Sequence, residues 1–186
     1  MIIPAEIDGA QVTEIVEDAF YDNNTITGVV FADGLRLIGD TSFYSTSKLS
    51  GTVTLPPSVK KVGSQAFLLS KLTAVNVLSD CSIGYRAFEN TNAEFLYIRE
   101  GCKASLGKAS FAYNKELKTV VIPASVTSID QTAFSNCPKM TIITPPGSFA
   151  ETYAKLNMLP CNTKDYDQYV AQYEAMLLMD AAAALQ

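Results

Sequence analysis

Histidine is absent from the 186 residues. That removes the side chain most often used as a general base near neutral pH, and with it His-containing triads, Cys–His dyads and imidazole metal ligation. The four cysteines form no Cys-x-x-Cys pair, so metal-site spacing is missing too. Basic residues are scattered, with Lys60-Lys61 the only adjacent pair, and the formal net charge is −5. The clustered basic footprint that nucleic-acid binding needs is therefore not there. No apolar run approaches the roughly 18 residues that suggest a membrane span. Met1-Ile2-Ile3-Pro4 has no basic n-region, long apolar stretch or small-residue cleavage site, so it is not a signal peptide. What is present, 48% hydrophobic and 18% charged residues, is the composition of a folded chain with a core.

That core is periodic. A small residue followed by phenylalanine recurs at Ala19-Phe20, Ser42-Phe43, Ala66-Phe67, Ala87-Phe88, Ser110-Phe111 and Ala133-Phe134, with phenylalanine spacings of 23, 24, 21, 23 and 23. Five residues before each phenylalanine stands an aliphatic: Ile15, Ile38, Val62, Ile83, Leu106 and Ile129. Glycine often follows it (Gly39, Gly63, Gly84, Gly107), as a tight bend would want. Downstream come short stretches of period-two alternation, such as Val29/Phe31, Val53/Leu55, Val75/Val77, Leu96/Ile98 and Val120/Ile122, each the pattern of a strand with one buried face. Pro4, Pro56 and Pro123 follow such stretches directly, and a residue without an amide proton ends pairing there.

Each unit thus reads as one strand, a turn and an arc carrying Ile and Phe inward. One unit of this size cannot bury its own apolar side, whereas stacked units bury it continuously. The expectation is a repeat solenoid of about six coils, with parallel strands about 4.8 Å apart and a rod of roughly 25–30 Å. Phe20, Phe43, Phe67, Phe88, Phe111 and Phe134 should form one stacked buried column.

The segment from Leu117 to Met140, LKTVVIPASVTSIDQTAFSNCPKM, resembles one full repeat of the BspA-like leucine-rich repeat family. The resemblance covers residues 2 to about 161, with the fourth repeat degenerate. It implies a curved leucine-rich-repeat solenoid, usually on secreted or surface-anchored proteins of bacteria and some protists. It further implies roles in adhesion and in protein or matrix binding, with no catalytic residues to carry over.

The chain opens partway through a coil, with a strand end at Ile2 and Ile3 that nothing obvious covers, which is a pairing hazard. The expectation is a fragment lacking its leader, from an extracellular or cell-surface protein; an intracellular chain is the alternative. At the other end Ser148 and Glu151 have capping-box spacing, predicting a short cap helix to about Leu156. Residues 1–162 are read as the solenoid with this cap, and 163–186 as an amphipathic helical tail. In that tail Tyr166, Tyr169, Val170, Tyr173, Met176, Leu177, Ala181 and Ala184 fall at spacings of three and four. Asp165 and Asp167 suit its first turn, where exposed amides favour negative charge. Such a helix packs back on the solenoid end, docks on a second chain, giving self-association, or else the segment is a disordered tail.

Cys81 and Cys102 align with Val12, Leu35, Val59 and Val126 in an inward column, where cysteine behaves as a small apolar residue. A disulfide from coil to coil is the alternative. Cys137 shares a position with Asn23, Thr46, Ser70, Thr91 and Asn114, a ladder suited to bonding turn backbone, and Cys161 is expected to plug the cap. Asp22-Asn23-Asn24 lacks the later glycine and glutamate of an EF-hand and reads as a turn; Asn23-Asn24-Thr25 is a glycosylation triplet. The 19 carboxylates concentrate at no position of the repeat. No catalytic, cofactor or metal residue is assigned. The candidate binding face is the outward side of the strands, where alternation places Val30, Thr54, Asn76, Tyr97 and Val121, an unusually apolar set for solvated positions. The reading is a non-catalytic ligand-binding or adhesion module that meets a protein or glycan there, or else a passive spacer.

Overall fold

The structure, a computed structural model, describes residues 1–183, with side chains as far as Met179. Each coil carries two strands, where the alternation pattern indicated one. The longer strands form a parallel ladder through Ser50–Leu55, Lys71–Val77, Phe95–Ile98, Thr119–Val121, Thr141–Ile143 and Cys161–Asn162. Val53, Val75, Leu96, Val120, Ile142 and Cys161 share one register column of it, all but Cys161 buried. The shorter ladder is made of two-residue strands: Glu14–Ile15, Leu37–Ile38, Lys61–Val62, Ser82–Ile83, Ser105–Leu106 and Ser128–Ile129. Its second residues are the aliphatic column of the repeat, and all are buried. Ile2–Ile3 pairs in parallel with Val30–Phe31, and a small antiparallel hairpin, Glu6–Ile7 with Ala10–Gln11, turns through Asp8 and Gly9 at φ 51° and 83°. Two successive positive φ values are what a two-residue hairpin of this kind requires.

Between the ladders the chain makes an arc around each phenylalanine. Rings of Phe43, Phe67 and Phe88 stack at 5.0 and 4.9 Å with planes within 4° of parallel. Phe20 and Phe134 continue the column at either end. Phe20, in the first coil, is only half-buried. The arcs hold a second regularity that the sequence does not announce. The residue two before the phenylalanine is left-handed in five coils (Asp18, Thr41, Gln65, Arg86, Ala109). The residue two after is left-handed in all six (Asp22, Ser45, Leu69, Asn90, Tyr113, Asn136), with φ of 50–65° throughout. A non-glycine residue pays about 1–2 kcal/mol for that conformation. In the first five coils bonding between coils supports it: the Phe20, Phe43, Phe67, Phe88 and Phe111 amides donate to Ser42, Ala66, Ala87, Ser110 and Ala133 carbonyls at 2.7–2.9 Å.

The glycines of the repeat are not bends. Gly39, Gly63, Gly84 and Gly107 all lie outside the left-handed region; a Cβ there would lie 2.4–2.8 Å from atoms of the preceding coil, mostly backbone. Adjacent coils touch closely at these four junctions, whereas the fifth accommodates Asp130, its amide on the Leu106 carbonyl at 2.9 Å. The first coil carries Val16 at the equivalent position, 60% exposed.

The polar ladder beside the phenylalanines bonds arc backbone at some of its positions, while the Ser70 hydroxyl has no partner among the described residues and Thr91 donates to the Asn114 side chain. Thr46 donates to the Phe43 carbonyl at 2.8 Å, Asn114 to those of Phe88 and Phe111 at 2.8 and 2.9 Å, and the Cys137 thiol to Phe111 at 3.2 Å. The Asn23 side chain closes its turn by accepting the Thr25 amide at 2.9 Å. Cys81 and Cys102 are buried free thiols, and burial pushes the Cys81 thiol up to about 11. Cys161 belongs to the last rung of the long ladder instead of filling the cap, as its half-buried side chain and pairing with Ile142 show.

Helix α1 (Phe149–Leu156) closes the C-terminal end, with Ala150, Tyr153 and Ala154 buried. Ser148 is its N-cap, accepting the Glu151 amide at 3.1 Å, while the Glu151 carboxylate takes the Gly147 amide at 2.6 Å. Helix α2 (Tyr166–Ala183) follows. Of the apolar positions read along it, the Ala181 side chain and Ala184 lie outside the described residues.

Candidate functional site

The alternation of the long strands defines a second side to the ladder, away from the phenylalanine column. Thr54, Asn76, Tyr97, Val121 and Ile143 share one register column there. This column becomes more apolar from Thr54 to Ile143, before Asn162 ends it, and the reason is α2. The helix lies across this side of the ladder, not on the solenoid end. Tyr97, Val121, Ile143 and Tyr166 form a small separate core, against which Phe95, Tyr169, Val170, Tyr173 and Leu177 pack.

Aromatic and polar contacts fix the helix in place. The Tyr173 ring stacks on Phe95 at 3.9 Å and on Tyr97 at 5.5 Å. The Tyr97 hydroxyl donates to the Glu174 carboxylate, whose oxygen lies 3.7 Å from Arg99 Nε, and the Tyr166 hydroxyl donates to Glu100. Burial, then hydrogen bonding to a carboxylate, holds both hydroxyls well above the ordinary tyrosine range.

The five residues read as an exposed face are therefore in different situations. Val30 is open to solvent at 62% exposure and Thr54 is half-buried. Asn76 is 8% exposed and donates to the Thr54 hydroxyl at 3.3 Å. Tyr97 and Val121 are wholly buried beneath α2, which corrects the reading of them as solvated. Their apolar character is explained by a partner, and that partner is a segment of the same chain. The open remainder of the face is polar: Ser50, Gly51, Thr52, Lys71 and Thr73 are exposed beside Val30. A cleft of about 160 Å³ runs between the two regions, lined by Thr52, Ala74, Asn76 and Phe95 on the ladder and Tyr173, Met176 and Leu177 on the helix.

The helix is less amphipathic than its spacing suggests. Leu178 and Met179 point to solvent along with Met176, so its outward side is apolar too. Charged pairs elsewhere are peripheral, such as Lys118 with Glu94 and Lys139 with Glu116, both at 2.6 Å. Among the described residues no group of three or more Cys, Asp or Glu side chains could hold a metal ion, and no helix is long and apolar enough to cross a membrane.

Comparison with known proteins agrees with this architecture. A family model described as a BspA type leucine rich repeat region matches residues 13–141 in six copies. No curated protein sequence matches the chain. Among solved structures, the leucine rich repeat protein of T. pallidum is similar over 76% of this chain, with 23% identity and a TM-score of 0.50. A leucine-rich repeat protein from Bacteroides ovatus is similar over 77%, at 16% identity and a TM-score of 0.44. The chain spans about half the length of these two proteins, covering 56% of the first and 46% of the second.

Proposed function

The chain belongs to the BspA-type leucine-rich repeat family, and from that premise we propose that it is a non-catalytic binding module of a cell-surface or secreted protein. The ligand is a protein or glycan, met by the open part of the long-strand face around Val30, Thr52, Thr54 and Asn76. Residues 1–162 are the scaffold and 163–186 an appended tail, whose described helix is Tyr166–Ala183. One observation carries the reading: this face already holds a folded segment, α2, by aromatic stacking and tyrosine–carboxylate bonds, and an uncovered strip with a cleft adjoins it. A rigid ladder that seats one segment this way has the shape and chemistry to seat another.

Screening the purified chain against glycan and host-protein arrays tests this, with a Val30→Asp, Thr52→Arg double variant alongside. Binding that falls at least tenfold in the variant is expected, because charge enters the contact without touching the core. Binding that survives unchanged moves the site elsewhere, and a blank screen favours the rival reading of a passive spacer. The apolar outward side of α2, at Met176, Leu178 and Met179, is in addition a contact for a second copy. Concentration-dependent light scattering, abolished by Leu178→Glu, is the expected sign.

A further inference from the structure

Every junction between arcs uses the same three donors. In the first coil the amides of Asp18, Phe20 and Asp22 donate forward to the carbonyls of Asp40, Ser42 and Tyr44 at 3.1, 2.7 and 2.8 Å. The next three junctions repeat this on main-chain carbonyls, and the fifth differs only in that the Ala109 amide goes to the Thr132 hydroxyl at 3.1 Å. The sixth coil is different. Asp130 stands where the second to fifth coils have glycine, and its carboxylate accepts both the amide and the hydroxyl of Thr132, at 2.8 and 2.6 Å. Thr132 is accordingly not left-handed, and the first of the three donors is satisfied within its own coil. The other two, the amides of Phe134 and Asn136, have no protein acceptor among the described residues.

Both residues border a groove of about 300 Å³ between the last arc and α1, lined also by Ser135, Pro138, Tyr153 and Leu159. Tyr153 stands edge-on to the Phe134 ring at 6.3 Å, where the next phenylalanine of the column would lie. A further coil is therefore blocked, while a single slender segment is not. The five junctions show what these donors take: two carbonyls two residues apart, the first always from alanine or serine (Ser42, Ala66, Ala87, Ser110, Ala133), the second from Tyr44, Leu68, Glu89, Ala112 or Ser135, with a phenylalanine between them whose place Tyr153 takes at this end. We infer that the groove beside Phe134 and Asn136 is a peptide-binding site that accepts a short main-chain segment with a small residue at the first carbonyl and no phenylalanine after it, its carbonyls taking the place of a seventh arc. It is separate from the ladder face and stands or falls independently of the function proposed there.

The probe is acetyl-Ser-Ala-Gly-Ser-amide, titrated into the full chain labelled with ¹⁵N. Saturable shifts of the Phe134 and Asn136 amides are expected, with exchange slowed at least tenfold at saturation. The amides of Phe111 and Tyr113, already bonded to Ala133 and Ser135, should stay still. Ser135→Tyr should weaken the peptide at least tenfold; the arc tolerates that side chain, since Tyr21 and Tyr44 occupy the same position in their coils. The bulky acetyl-Ser-Phe-Phe-Ser-amide should not compete. Unmoved amides at saturating peptide, meaning that water is their partner, would overturn the inference, and this readout needs no variant. Equal binding by Ser135→Tyr or by the bulky peptide would overturn it as well.

Discussion

Replacing Gly39 with alanine should unfold the stack at one junction. The added Cβ would lie 2.6 Å from the Glu17 amide nitrogen, 2.7 Å from the Ile15 carbonyl oxygen and 2.7 Å from the Val16 carbonyl carbon. All three are backbone atoms, so no side chain can swing away. Ordinary contact begins at 3.4 Å, so the coils must part by about 0.8 Å. The Gly39 amide donates to the Ile15 carbonyl at 2.8 Å, and parting by that amount takes it out of hydrogen-bond range. Overpacking of this kind costs about 1–3 kcal/mol and the bond about 1 kcal/mol more. The lower chain entropy of unfolded alanine returns about 0.4–1 kcal/mol. A net loss of about 1–3.5 kcal/mol follows, or roughly 2–14 °C in melting temperature for a chain of this length. Gly28→Ala is the control, since nothing lies within 4 Å of its Cβ and its φ is not positive; it should be neutral or slightly stabilising. Urea denaturation followed by circular dichroism measures both. A Gly39→Ala loss below about 0.5 kcal/mol, within the range of ordinary surface changes, would refute the close-approach explanation.

Phe67→Ala should cost roughly 3–5 kcal/mol, because the ring is fully buried between two parallel neighbours and Phe31 packs edge-on to it at 6.5 Å; a loss under 1 kcal/mol in reversible denaturation would mean the column is not load-sharing. The Tyr97 and Tyr166 hydroxyls are held above their unfolded value of about 10, so the stability they give is present below that pH and is lost as pH rises past it. The contact of α2 with the ladder should therefore loosen above about pH 10, read as phenolate absorbance at 295 nm lagging that of the unfolded chain. Simultaneous ionisation of all the tyrosines at their ordinary value would show that the helix does not shield these two.

The solenoid was legible because its core is built from large residues at a fixed spacing. Phenylalanines 21–24 residues apart and an aliphatic five residues before each one map directly onto two buried columns. The short ladder escaped notice because a strand such as Lys61–Val62 is too brief to show alternation. The left-handed arc positions were hidden for a different reason: Gln65, Arg86 and Ala109 are not residues that signal positive φ, and the conformation is imposed by bonds to a coil 20 or more residues away. Alternation correctly indicated that Tyr97 and Val121 face away from the main core, yet it carries no information about what covers that side. A usable signal did exist. The register column runs Thr54, Asn76, Tyr97, Val121, Ile143, polar to apolar, and the tail that follows is rich in tyrosine and aliphatic residues that match its apolar end.

The forward-pointing arc amides have an electrostatic consequence. In the first five arcs three N–H groups point toward the C-terminal end, but ladder amides such as those of Gly39, Gly63, Gly84 and Gly107 donate back to the preceding coil, so the peptide dipoles do not sum along the axis. What remains is local: at the last arc the Phe134 and Asn136 amides meet no further arc among the described residues and expose partial positive charge. The carboxylate of Asp130 lies in the same coil, where its bonds to Thr132 hold its pKa low. An anionic or carbonyl-bearing group is favoured beside those two amides, whatever side chains the surface happens to carry.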